Sequence, residues 1–114
     1  MSERQLEVAV FALGYILESY STASNTEFTP PVRTEIGRMH DLRDELEVRS
    51  GIPEATAFLP EEVLTMRSVL LGVRAALLLS AERGLPLVTF GLGTAPSVAE
   101  VEDLIAEFGG AVPA

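Results

Sequence analysis

Residues 3–20 carry apolar side chains around nearly the whole circumference of a helix, and this constrains the fold more than any other stretch of the chain. Leu6, Val10, Leu13 and Leu17 recur at steps of four, three and four, which predicts a helix from Glu3 to Tyr20 with one buried stripe. Val8, Ala9, Ala12, Tyr15 and Ile16 cover most of the remaining surface, leaving Glu7, Phe11, Gly14 and Glu18 as a narrow, partly polar strip. Such a helix must be surrounded by other helices or capped by another chain.

Punctuation places three further helices. Ser21 to Thr29 is small and polar and reads as a loop closing on Pro30-Pro31, with the second helix running from Pro31 to Arg49. Val32, Ile36, Met39, Leu42 and Leu46 form its apolar face, and Gly51 followed by Ile52-Pro53 is the expected stop. A connector, Glu54 to Leu59, has room for one helical turn. Pro60-Glu61-Glu62 then opens a third helix, the longest and the expected core of the fold, since proline suits the first helical position and acids suit the positive end of the dipole. It ends at Arg83 before Gly84. Along it Arg67 and Arg74 share a stripe with Leu71 and Leu78, next to a strip of small residues, Ser68, Gly72, Ala75 and Ala76. The apolar, glycine-broken stretch 85–95 fits either a short strand or an extended loop, and no second strand is evident to pair with it. Ser97-Val98-Ala99-Glu100 is a capping box for a fourth helix whose stripe is Val98, Val101, Leu104, Ile105 and Phe108, ended by Gly109-Gly110.

The missing residue types bear on function. The chain has no lysine, cysteine or tryptophan and a single histidine, His40. A thiolate nucleophile, a Schiff-base or phosphate-loop lysine and a cysteine-rich zinc site are thereby excluded, so enzyme chemistry would have to run on carboxylates. Acids number 17 against 8 arginines, for a net charge of -9. That balance repels phosphate backbones and anionic lipid heads, so neither nucleic acid nor a membrane surface is an expected partner. Two runs raise the question of a membrane span, but 8–17 is too short and 63–81 carries Arg67 and Arg74 in its interior. The start, Met1-Ser2-Glu3-Arg4-Gln5, lacks a cationic lead into its apolar run, which points to the cytoplasm.

Three constellations have the residue types of a site. On the second helix His40 and Asp44 stand four apart, and Asp41, Asp44 and Glu47 follow at steps of three, so a divalent cation could be gripped along one face. Glu100 and Asp103, with Glu107, make a second acidic ridge on the fourth helix. Joined, the two ridges would suit magnesium and a nucleotide polyphosphate. In residue type only, this resembles the all-helical nucleotide pyrophosphohydrolases, which need acid pairs facing one another across a bundle. Solvated faces on amphipathic helices explain both ridges more simply. Phe90-Gly91-Leu92-Gly93-Thr94 has the look of a phosphate cradle, but a lone Gly-x-Gly is far more often a turn.

The expectation is therefore one helical domain over 1–114: all-α, an irregular four-helix bundle with a short extended apolar segment between helices three and four. The expected function is non-enzymatic, a protein–protein interaction or assembly module that forms a homodimer or higher oligomer and could also meet another protein. It needs no cofactor, metal or catalytic residue. Phe11, Tyr15, Arg67, Leu71, Arg74 and Leu78 are the candidate interface, while His40, Asp41, Asp44, Glu47, Glu100 and Asp103 are the only metal-ligand candidates. The alternatives are a metal-dependent nucleotide hydrolase of all-α type and a binder of small apolar ligands with a pocket closed by residues 85–94.

Overall fold

The computed structural model describes residues 1–22, 29–48 and 57–110. Four helices follow one another: α1 (Glu3–Thr22), α2 (Pro30–Val48), α3 (Pro60–Arg83) and α4 (Val98–Glu107). Among the described residues there is no strand, and the stretch between α3 and α4 is extended backbone broken by turns. The described residues form an all-α arrangement of four helices. The stop expected at Gly51, the Ile52-Pro53 pair and most of the loop and connector on either side of α2 lie outside the described residues.

α1 and α3 share the centre of the fold: each packs against all three other helices, while α2 and α4 barely meet. This central place explains why α1 is apolar nearly all round, and it also corrects the expected stripe. The enclosed residues are Val8, Ala9, Phe11, Ala12, Leu13 and Leu17, whereas Leu6 and Val10 are only half-buried. A single-stripe rule fits a helix with one covered side and loses its power for a helix covered on several. Of the partly polar strip, Phe11 and Gly14 are buried as well, while Glu7 is exposed and Glu18 half-buried. A Cβ on Gly14 would stand 3.0 Å from Leu92 Cδ2, so the missing side chain lets the extended segment dock there.

The other helices keep their expected faces. Met39, Leu42 and Leu46 are the buried residues of α2, and Val101, Leu104 and Ile105 those of α4. Leu59 N–H donates to Glu62 Oε1 at 2.7 Å at the start of α3, and Gly84, with φ 65°, closes the helix in the left-handed conformation that glycine adopts without steric cost. At α4 the capping box is complete: Glu100 N–H donates to Ser97 Oγ at 3.2 Å and Ser97 N–H donates to Glu100 Oε1 at 3.0 Å.

The segment after α3 resolves into a turn, which answers the strand-or-loop question. Leu92 N–H donates to the Thr89 carbonyl at 2.8 Å, with Phe90 at φ 52° and Gly91 at φ 76°. Left-handed backbone is uncommon for an aromatic residue. The Phe90 ring lies 5.7 Å from Tyr15, which in turn stacks on Phe11 at 6.2 Å, so aromatic contact with α1 offsets that conformational cost.

Candidate interaction surface

α3 is 24 residues long, about 36 Å at the usual helical rise, and outruns the core it packs on. Its buried residues are Thr65, Met66, Val69, Leu70 and Val73, and none follows Val73. Beyond it Leu77 still packs on the core, but Leu78 is 42% and Leu79 44% exposed, and the outgoing chain adds Leu85 at 63% and Val88 at 64%. Nearer the start of α3, Leu64 is 62% exposed. Leu64, Ser68, Leu71, Ala75 and Leu78 follow at alternating steps of four and three, opposite the face that holds Met66, Leu70 and Val73. Of these, only Leu71 is half-buried. Among the described residues α3 is the one helix long and apolar enough to cross a membrane.

The small residues of α3 are divided between its two sides. A Cβ at Gly72 would lie 3.1 Å from Ile16 Cδ1, so Gly72 serves the contact with α1, while Ser68 and Ala75 remain on the open face. Periodicity alone grouped them together. Which small residue admits a neighbour depends on where α1 passes.

Both arginines of the stripe turn toward α4. Arg67 Nε donates to the Phe108 carbonyl at 2.6 Å, placing a cation at the negative end of the α4 dipole. Arg74 Nε donates to Glu102 at 3.2 Å, with 16% of its side chain exposed. α4 carries four acids and no base of its own, and its charge is met by arginines from two other helices. The third is Arg4 on α1, whose Nη2 lies 3.2 Å from Glu100 Oε1. That guanidinium, with the Ser97 N–H, holds the Glu100 carboxyl at about 2, well below the usual carboxylate range, while Arg4 is itself raised.

A depressed carboxyl stabilises the fold fully above its unfolded value and loses that contribution as pH falls through its folded value. The stability difference between the wild type and Glu100→Gln should therefore be complete at pH 6 and shrink from about 4.5 toward about 2. Denaturant melts at pH 6, 4 and 2.5 test this. A difference independent of pH would show that the Arg4–Glu100 pair does not form in solution.

The six candidate interface residues thus have different surroundings. Phe11 is 5% exposed and enclosed by the fold, Arg67 and Arg74 are engaged with α4, Tyr15 and Leu71 are half-buried, and Leu78 is open. Leu64, Leu79, Leu85 and Val88 belong to the exposed surface but escaped the sequence reading. Which side chains of α3 beyond Val73 stay open is a tertiary fact with no local signature.

The metal-ligand candidates are scattered. His40, Asp41, Asp44 and Glu47 are exposed on α2, Glu47 accepting from Arg43 at 3.3 Å, while Glu100 pairs with Arg4 and Asp103 faces outward on α4. The two acidic ridges stand on helices that barely touch. Among the described residues no group of three or more histidines and carboxylates could hold a metal ion. A cleft of about 590 Å³ lies between α1, α2 and the segment before α4, bordered by Arg4, Phe11, Arg43, Leu46, Leu92 and Pro96. Compared with known proteins, the chain matches no family model, no curated protein and no solved structure.

Proposed function

We propose that the chain is a non-enzymatic helical assembly module that associates with itself through the outer face of α3. The observation that supports this is the concentration of exposed apolar side chains there: Leu64, Leu78 and Leu79 on the helix, and Leu85 and Val88 on the chain leaving it. Scattered exposed leucines are ordinary, but apolar side chains aligned along one helix face suit a contact site. Covering a leucine fully contributes roughly 2 kcal/mol, so several half-open ones leave a driving force that association can use.

Light scattering at micromolar concentration tests the reading directly. The wild type should have at least twice the chain mass of 12.2 kDa, and Leu78→Glu should reduce it to the single-chain value while leaving the helical circular dichroism unchanged. Because Leu78 is 42% exposed, the new carboxylate stays solvated in the free chain but would be stranded in a dry interface. A wild type of single-chain mass would overturn the proposal.

The cleft favours a second reading, a small-ligand binder. Its volume falls within the usual range for ligand sites, and Leu92, Gly93 and Thr94 of the segment 85–94 line it. A saturable ligand-induced rise in Tm that persists in Leu78→Glu would favour binding over assembly.

A further inference from the structure

The geometry points to a second copy of this chain as the occupant of the open face of α3, docked antiparallel with its own α3 about a two-fold axis level with Val73. This rests on the self-association reading and specifies how the two copies meet. The seam is Leu64, Ser68, Leu71, Ala75 and Leu78, whose alternating steps of four and three are the repeat that keeps one helix facing another over several turns. Large and small side chains alternate along it. In an antiparallel pair centred at Val73, Leu78 of each copy lies opposite Ser68 of the other, and Leu71 opposite Ala75. Leu71 and Leu78 thus each meet a small residue, so the helices can approach closely over the middle of the seam, while Leu64 stands level with Glu82 at either end.

Charge limits which face two copies can share and sets their direction. The protein as a whole is strongly acidic, and like copies repel. α4 holds four acids and no base, so a face built on it would oppose its own charge. α3 is neutral, with Glu61, Glu62 and Glu82 balanced by Arg67, Arg74 and Arg83. A parallel pair would set Glu61 and Glu62 beside their equivalents and align the two helix dipoles. The antiparallel pair opposes the dipoles and brings Arg83 of each copy level with Val63 of the other, within one turn of Glu61 and Glu62.

The absence of cysteine makes the test clean. Ser68→Cys and Leu78→Cys are prepared separately, then oxidised alone and as an equimolar mixture, and the products are read by non-reducing electrophoresis and mass spectrometry. In the antiparallel pair, equivalent positions lie roughly 15 Å apart along the axis, beyond disulfide reach, whereas 68 and 78 of opposite copies share a level. The mixture should yield a mixed covalent dimer in at least tenfold excess over either variant alone. Efficient linking of each variant with itself would establish a parallel pair and overturn the inference. A wild type of double mass with no link in any sample would place the interface elsewhere, leaving self-association intact but refuting this seam. A single-chain mass would refute both, and if that monomer also bound phosphatidylcholine vesicles, the face would be assigned to lipid.

Discussion

Phe108→Ala should cost about 3 kcal/mol, against about 1 kcal/mol for Ser97→Ala, although both lie at the ends of the same short helix. Phe108 is 3% exposed, and its ring meets Phe58 edge-on at 5.1 Å and 70°. Truncation removes that contact and leaves a cavity at the point where α4 joins the start of α3. Ser97→Ala removes one cap, the acceptor for Glu100 N–H, while the Ser97 N–H keeps its bond to the Glu100 side chain. The Phe108 carbonyl is a backbone group, so Arg67 retains its acceptor in the variant. Denaturant melts of the two variants give the order. If Ser97→Ala proves the more damaging, α4 is not docked through Phe108, and the helix is instead an arm that packs only when a partner arrives.

Leu13→Ala should cost ~2–5 kcal/mol, whereas Val48→Ala should change stability by less than ~0.5 kcal/mol. Both replace an aliphatic residue on a helix. Leu13 is fully enclosed at the middle of α1, where the surrounding helices cannot all close on a void, so the cavity term adds to the lost transfer energy. Val48 is 81% exposed at the last position of α2, so its methyl groups are already in water. The same melts measure both. Equal losses would mean that Leu13 is not enclosed in solution.

The helices themselves were legible in the residues. Pro30 and Pro60 at helix starts, Gly84 beyond a helix end and the Ser97–Glu100 box act through backbone geometry within a few positions, so their effect can be read locally. Amphipathic stripes were equally plain on α2 and α4, each with one buried side.

Three features depended on the assembled helices. Periodicity showed that α1 is apolar all round, but only the packing of three helices on it decided that this chain itself supplies most of the cover. Arg67 and Arg74 lie on a stripe with Leu71 and Leu78, and side-chain spacing cannot say that α4 passes close enough to take both. Residues 74–83 are rich in Ala and Leu, yet no fully buried residue of α3 follows Val73: Leu77 still packs on the core while Leu78 and Leu79 stay open. Local rules determined where each helix begins, ends and turns its apolar side, since those are set by neighbours in sequence. Which apolar surface stays open was decided by tertiary structure alone, since burial depends on how far each neighbouring helix extends.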